Sequence, residues 1–180
     1  MRIKTEQTMV LVVDIQEKLF PYMNQKDILL ENCVKLIKGL KLLNITFVLN
    51  EQYPKGIGAT ISEIKELIPK NKVYEKFTFS CCKTEPTKDA IKKIDKRFVI
   101  VFGIEAHVCV LQSVLDLIEL GYTPIVISDC ISSRKQSDKE VALLRMSQSG
   151  AIISSCESIL FELCVSSKNE VFKDISKLIK

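Results

Sequence analysis

Asp14, Lys76 and Cys109 are the residues whose types could together carry out a reaction, and each follows a short apolar segment. A cysteine thiolate is a strong nucleophile, and a neighbouring ammonium lowers the pKa of the thiol. A carboxylate within hydrogen-bond distance of the sulfur can take the thiol proton and later pass it on. These residue types predict nucleophilic hydrolysis, with Cys109 as nucleophile, Asp14 as base and Lys76 as stabilising cation.

The position of Cys109 favours this role. A helical pattern starts near Val108, where unpaired backbone N–H groups and the helix dipole stabilise a negative charge. The apolar stripe of this helix is formed by Val108, Leu111, Leu115 and Ile118. Cys109 lies off that stripe, so we expect the core to pack without it.

Each candidate also has an ordinary structural interpretation. A cysteine in a helix is commonly a small buried hydrophobic residue, an aspartate after a strand commonly caps a turn, and a lysine is commonly solvated. Cys81 and Cys82 are adjacent, so a disulfide between them would be strained, and we interpret them as structural. We interpret His107, the only histidine, as a local hydrogen-bonding residue rather than a base.

Short apolar runs alternate with helical patterns along the chain, which places the candidates at strand ends. We predict strands at residues 9–13, 45–49, 73–75, 98–102, 124–127 and 151–154. We predict helices within residues 28–40, 108–118, 137–146 (with Val141 and Leu144 as apolar positions) and 169–179. This alternation predicts a three-layer α/β/α sandwich with a mostly parallel sheet.

In a sheet of this kind the binding crevice lies outside the carboxyl ends of the strands. Asp14, Lys76 and Cys109 all follow strands, so we expect their side chains to converge within about 3 to 5 Å of one another. The length of 180 residues is typical of one domain, and we expect residues 1–180 to fold as a single unit.

The composition argues against several classes of protein. Hydrophobic residues make up 47% of the chain and charged residues 27%, a balance typical of folded globular proteins. No apolar run reaches the length of about 18 residues that a membrane span needs, and no secretory segment is recognisable, so we expect a cytoplasmic protein without a membrane partner. The 26 basic and 22 acidic residues are interspersed, which argues against nucleic-acid binding. Seven cysteines without a CxxC pair indicate free thiols.

Several motifs carry a resemblance to a known family. They are Val-Val-Asp-Ile-Gln at residues 12–16, Glu-Gln-Tyr-Pro-Lys-Gly at 51–56, Glu-Lys-Phe at 75–77, Gly-Ile-Glu-Ala-His-Val-Cys-Val-Leu-Gln at 103–112, Ser-Ser-Arg at 132–134 and Arg-Met at 145–146. On these motifs, which extend over nearly the whole chain, the sequence resembles the isochorismatase-like superfamily of cysteine hydrolases.

The resemblance implies a six-stranded parallel sheet, Rossmann-like in its layers, and a catalytic triad of Asp14, Lys76 and Cys109. It implies hydrolysis of an amide or related C–N bond of a small molecule through an acyl-enzyme, without a cofactor. It also implies an oxyanion hole of backbone N–H groups around Cys109 and a cis peptide bond between Ile104 and Glu105. Homo-oligomers are common in the family, and the apolar residues of the tail at 169–179 would suit an interface.

Two departures from the family narrow the expected reaction. Nicotinamidases carry an aspartate and two histidines for a metal near the second strand, whereas residues 50–53 here read Asn-Glu-Gln-Tyr. Glu51 is the only metal-ligand type among them, so we predict a metal-independent enzyme. True isochorismatases lack the nucleophilic cysteine, and Cys109 therefore argues against the reaction in the family name.

Gln16, Phe20 and Phe77 are candidate pocket residues because they lie one or two turns from the proposed triad. The sequence leaves the substrate open. It also leaves open a second function, a non-enzymatic interaction protein that keeps the fold. Preferential labelling of Cys109 by a thiol-directed electrophile would favour the enzyme, and uniform labelling of all cysteines would favour the interaction protein.

Overall fold

The computed structural model describes residues 1–180 and contains one six-stranded sheet in which every neighbouring pair is parallel. The strand order is β3-β2-β1-β4-β5-β6. The strands are β1 (Thr8–Val13), β2 (Thr46–Gln52), β3 (Val73–Lys76), β4 (Phe98–Ile104), β5 (Thr123–Ser132) and β6 (Ile152–Ser154). All six predicted strands are therefore present, and the predicted α/β architecture is confirmed.

The chain also forms eight α-helices, several of which pack against the sheet. They are α1 (Lys26–Leu42), α2 (Pro54–Ile57), α3 (Ser62–Lys65), α4 (Glu85–Ile94), α5 (Leu111–Glu119), α6 (Gln136–Gln148), α7 (Cys156–Cys164) and α8 (Phe172–Ile179). Helix α1 packs against α3, α7 and α8, whereas α5 contacts α6, and a turn at Cys81–Lys83 contacts both α4 and α5. None of these helices combines the length and apolar character needed to cross a lipid bilayer.

Strands β1 and β4 form the centre of the hydrophobic core. Every residue of both strands is buried, because each has a strand on either side and the sheet is covered on both faces. The topology reverses between these two strands, since β2 follows on one side of β1 and β5 on the other side of β4. Their carboxyl ends therefore flank the crevice in which an open parallel sheet binds its ligand.

Gly103 allows the carboxyl ends of β1 and β4 to approach closely. Its φ is +130°, and a Cβ atom at this position would lie 2.0 Å from the carbonyl oxygen of Val13. Any side chain here would push the two strand ends apart. The pairing of β4 with β5 also changes register between Val101 and Gly103, so the chain is redirected just before the helical segment that carries Cys109.

The segment after β4 differs from the regular helix that the sequence predicts. Residues Ala106–Val110 form a π-helical turn, with Val110 N–H donating to the Glu105 carbonyl at 3.2 Å, and α5 starts only at Leu111. The wider turn shifts the register of the residues that follow. The residues of α5 buried in the core are consequently Leu111, Ser113, Val114 and Leu117. Val108, Leu115 and Ile118 of the predicted stripe are only half-buried against the core, and Cys109 itself is buried rather than free of the core.

Helix α6 and the tail also pack differently from the prediction. Ala142 and Met146 form the buried side of α6, whereas Val141 and Leu144 are 66% and 60% exposed. In the tail, α8 buries Ile175 against the chain's own core and contacts α1 and α7. The tail is a docked helix as predicted, but its apolar residues pack within the chain, whereas α6 exposes two large apolar side chains.

Candidate active site

Asp14 occupies a strained position at the end of β1. Its φ is +50°, in the left-handed region that aspartate tolerates better than most residues. The side chain is completely buried. Its backbone carbonyl accepts from Gln16 N–H at 2.8 Å, and its own N–H donates to the Asn50 carbonyl at 3.3 Å. The turn aims a carboxylate inward at the topological switch point, where strained residues commonly serve a function.

Lys76 is the last residue of β3, and its ammonium is enclosed by oxygen atoms. The Nζ atom donates to Asp14 Oδ2 at 2.6 Å and to Gln52 Oε1 at 2.8 Å. The carbonyl oxygens of Phe79 and Thr78 accept at 2.9 and 3.2 Å. Burial alone would lower the pKa of this lysine, but its neighbours Cys81, Asp14 and Cys109 raise it above its ordinary value. Lys76 is therefore a permanent cation in the site.

The carboxylate of Asp14 is only half engaged. Oδ2 accepts from Lys76, whereas Oδ1 is buried without any hydrogen-bond partner. Burial raises the pKa of Asp14 above its ordinary value, and the charge and hydrogen bond of Lys76 offset this only in part. The two members of the ion pair therefore differ in hydrogen bonding, because the Lys76 ammonium has four oxygen acceptors and the Asp14 carboxylate has one donor. An unpaired, desolvated carboxylate oxygen is a proton acceptor.

Cys109 lies in the π-helical turn and completes the cluster. Burial and the Asp14 carboxylate raise the pKa of its thiol to about 12, although the Lys76 ammonium acts in the opposite direction. The expectation of a depressed thiol pKa from the helix start and Lys76 was therefore wrong, because desolvation and the aspartate outweigh the cation. The structure nevertheless brings the three predicted residues together, each close enough to affect the ionisation of the others.

Two further side chains at the site were not found from the sequence. Ser113 is fully buried on α5, where its hydroxyl donates to the Cys109 carbonyl at 2.7 Å and accepts from Cys81 N–H at 2.9 Å. Gln52 is the second side-chain acceptor of Lys76. The register that aligns Gln52 with Lys76 could have indicated the latter contact, since β2 and β3 are adjacent.

The peptide bond between Ile104 and Glu105 is cis, at the position that the resemblance gives. The Glu105 carboxylate accepts from Arg134 Nε at 2.9 Å. His107 lies two residues before Cys109, and its Nδ1 is 2.9 Å from the Ser133 hydroxyl. This is the local hydrogen-bonding role expected for the histidine.

The three candidate pocket residues have different environments. Gln16 is completely buried, and its amide bonds the backbone of Gln52 and the Gly58 carbonyl, so it fastens a loop to the site. Phe20 is half-buried against the core. Phe77 is 76% exposed, and its ring lies against Tyr53 with a centroid distance of 5.4 Å. Among the three, Phe77 has a side chain free to contact a ligand.

The residues near the second strand do not form a metal centre. Glu51, the one metal-ligand type there, accepts from both the backbone N–H and the hydroxyl of Thr60 at 2.7 Å. No group of three or more His, Cys, Asp or Glu side chains has a geometry that could hold a metal ion. The donor set therefore does not fit the metal site of nicotinamidases.

Comparison with known proteins places this arrangement in a family. A family model described as isochorismatase domain matches residues 8–158. Isochorismatase domain-containing protein 2 of Danio rerio is 36% identical over 181 residues, covering 99% of this chain and 89% of its own. The secreted isochorismatase effector Isc1 of Phytophthora sojae is 37% identical over 183 residues, covering 99% and 87%.

A solved structure extends the similarity to the backbone. The MAR1 ribonuclease of Caenorhabditis elegans has a TM-score of 0.92 and 36% sequence identity, covering 99% of this chain and 92% of its own. The family model includes the positions of Asp14, Lys76 and Cys109. The family model spans all six strands, and the alignments with the relatives cover nearly the whole chain. The chain therefore belongs to the isochorismatase family and has its hydrolase-type fold.

Proposed function

We propose that this protein is a metal-independent cysteine hydrolase that cleaves an amide or related C–N bond of a small molecule through a Cys109 acyl-enzyme. The observation that carries the proposal is the unpaired Asp14 Oδ1, a buried proton acceptor in the same cluster as the thiol. An unsatisfied buried carboxylate oxygen costs stability, and its place in the cluster with Cys109 gives it a use as a general base.

The first half of the reaction forms the acyl-enzyme. The Cys109 thiol proton passes to Asp14 as the sulfur bonds the substrate carbonyl carbon, and the carbonyl π electrons move to oxygen. Backbone N–H groups around Cys109, next to the Ile104–Glu105 bond, stabilise this oxyanion. Lys76 contributes through its charge, because its three protons are already directed to four acceptors. The C–N bond then breaks, and Asp14 returns its proton to the leaving nitrogen.

The second half releases the acid. Water attacks the thioester carbon and gives a proton to Asp14, the C–S bond breaks, and the sulfur regains that proton. The raised thiol pKa suits this cycle, because the thiolate forms only when Asp14 accepts the proton. At rest Cys109 remains a thiol, which reacts slowly with oxidants. Cys109 is 6% exposed, so the substrate must be small or carry a narrow acyl group.

The test uses p-nitrophenyl acetate as an acyl donor of known chemistry. We expect a burst of p-nitrophenolate and an acetyl group on the Cys109 peptide in a mass spectrum after acid quenching. Cys109→Ala should show neither, with an unchanged circular dichroism spectrum. Cys164→Ala is the matched control, because it removes another buried thiol outside the site, and it should retain both. Acetylation spread equally over several cysteines would contradict the proposal.

Metal independence has its own test. Prolonged treatment with EDTA or 1,10-phenanthroline should leave the burst amplitude and the midpoint of thermal unfolding unchanged. A loss of burst that zinc, manganese or iron restores would contradict this part of the proposal.

A ribonuclease activity is the second candidate, favoured by the similarity to the MAR1 ribonuclease. The burial of Asp14, Lys76 and Cys109 argues against it, because a polynucleotide backbone cannot reach a closed cluster. Incubation with a labelled RNA distinguishes the two, since cleavage that persists in Cys109→Ala would favour the ribonuclease. A folded protein with neither activity would favour the third candidate, an interaction protein.

We also propose that residues 1–180 fold as one unit, form a homo-oligomer and work in the cytoplasm. One core cluster extends from Ile3 to Ile175, which supports folding as a single unit.

The exposed Val141 and Leu144 on α6 support self-association, and the double variant Val141→Lys with Leu144→Lys should lower the mass measured by sedimentation. Seven free cysteines support a reducing compartment, whereas recovery of the protein from the culture medium would match the secreted relative instead.

A further inference from the structure

Gln52 holds the Lys76 ammonium through an amide whose orientation is fixed. Its Oε1 accepts from Lys76 Nζ at 2.8 Å, and its Nε2 donates to the Phe77 carbonyl at 2.8 Å. A lysine ammonium has no acceptor and a carbonyl has no donor, so only this orientation satisfies both bonds. The amide therefore connects the catalytic lysine to the first residue after β3.

The backbone of Gln52 is in turn fixed by Gln16. Gln52 N–H donates to Gln16 Oε1 at 2.7 Å, and Gln16 Nε2 donates to the Gln52 carbonyl at 3.0 Å. Gln16 lies two residues after Asp14 and is completely buried. The aspartate and the lysine of the ion pair are thus connected a second time, through two glutamines that take no part in the proton transfers.

A neutral acceptor has a specific consequence at this position. Asp14 is the only carboxylate bonded to Lys76, and the other three acceptors are an amide and two backbone carbonyls. The positive charge of Lys76 therefore remains available to stabilise negative charge on Cys109. A second carboxylate in place of the amide would give the cluster a net negative charge and raise the thiol pKa.

We infer that Gln52 is a positioning residue of the active site, which holds Lys76 against Asp14 without reducing the charge that the lysine presents to Cys109. This inference rests on the proposed function for its catalytic meaning. The property that it predicts is the pKa of the Cys109 thiol, which can be measured without any substrate.

The experiment is the rate of Cys109 alkylation by iodoacetamide between pH 7 and 11, read from the Cys109 peptide by mass spectrometry. Gln52→Glu keeps the size and the acceptor for Lys76, adds a charge and removes the donor to the Phe77 carbonyl. We expect alkylation at pH 9 to slow about tenfold, the effect of raising a thiol pKa by one unit. Gln112→Glu is the matched control, because it makes the same change at an exposed position on α5 close to Cys109 in sequence. It should alkylate like the wild type.

A rate for Gln52→Glu equal to that of Gln112→Glu would overturn the inference and leave Gln52 a structural residue. If Gln52→Glu does not fold, Gln52→Met takes its place, since it keeps the length and removes both amide hydrogen bonds. A shifted pH profile of alkylation supports the inference in that variant, and an unshifted profile overturns it. If the acetyl-transfer test of Cys109 fails while these shifts appear, the proposed function is wrong and the positioning role stands.

Discussion

Two lysine–carboxylate pairs of similar length show how differently the same contact behaves inside the protein and on its surface. Lys76 Nζ lies 2.6 Å from Asp14 Oδ2 with both side chains fully buried. Lys35 Nζ lies 2.8 Å from Glu31 Oε1 on α1, where the two side chains are 28% and 64% exposed. The distances differ by little, so any difference in behaviour comes from the surroundings.

The carboxylates of the two pairs respond in opposite directions. The hydrogen bond and charge of Lys35 lower the pKa of Glu31 below its ordinary value, because water still solvates the pair. Burial raises the pKa of Asp14 despite an equally close ammonium. For these two carboxylates, the nearby ammonium therefore decides the direction of the pKa shift at the surface, whereas desolvation decides it in the interior.

The comparison indicates what the buried pair is for. A buried ion pair seldom stabilises a fold relative to apolar residues, since desolvation offsets the attraction. Here it leaves a carboxylate that is a stronger base than a solvated one and an ammonium that is always charged. The Lys76–Asp14 pair is thus suited to proton transfer, and the Glu31–Lys35 pair to a solvated helix surface.

The largest expected effect is on acyl transfer after Asp14→Asn. We expect the burst rate with p-nitrophenyl acetate to fall by about two to four powers of ten, the range for loss of a general base. The same change should speed alkylation of Cys109 by iodoacetamide at pH 9, because the charge of Asp14 raises the thiol pKa. A variant with unchanged burst rate would return Asp14 to a turn-capping role.

The next effect is on stability after Lys76→Met. This change leaves the Asp14 carboxylate buried without its cation, and we expect the free energy of unfolding to fall by about 3 to 5 kcal/mol in urea titrations. The double variant Lys76→Met with Asp14→Asn should recover much of the loss, since no buried charge remains. A double variant as unstable as the single one would show that packing, rather than the charge, causes the loss.

A smaller effect is the pH dependence of stability, which should have opposite signs for the two carboxylates. The pKa of Asp14 is above 3.8 in the folded protein, so the folded state keeps this proton at pH values where the unfolded chain has lost it. The contribution of Asp14 to the free energy of unfolding therefore falls as the pH rises from 3.8 through the folded pKa. Folded Glu31 loses its proton below pH 4.5, so its contribution rises with pH. Urea titrations of wild type, Asp14→Asn and Glu31→Gln between pH 3 and 6 measure both, and equal signs would contradict the comparison.

The smallest effect is expected for the surface pair itself. Lys35→Met should leave the midpoint of urea unfolding at neutral pH within experimental error, because exposed ion pairs contribute little and are screened by salt. Repeating the titration in 0.5 M sodium chloride should remove any residual difference. A loss comparable to that of Lys76→Met would show that burial does not separate the two pairs.

The sequence by itself determined the architecture and predicted which three candidate side chains meet at one edge of the sheet. Fully buried parallel strands contain continuous apolar runs, so residues 9–13 and 98–102 were recognisable without any knowledge of their partners. Because all strands are parallel, residues that follow them meet at one edge, and Asp14, Lys76 and Cys109 could be placed together on that ground alone. Helix α4 was not predicted, because only Thr87 and Ile91 of its ten residues are buried and lysines interrupt the pattern.

Only the tertiary structure decided how the site residues ionise and what holds them. The thiol pKa of Cys109 is raised rather than lowered because the π-helical turn buries the sulfur beside Asp14, and no local pattern encodes that turn. The unpaired Asp14 Oδ1 and the amide of Gln52 became visible only when the strands were placed side by side. Desolvation depends on every atom that covers a group, and those atoms come from chain segments far apart in sequence.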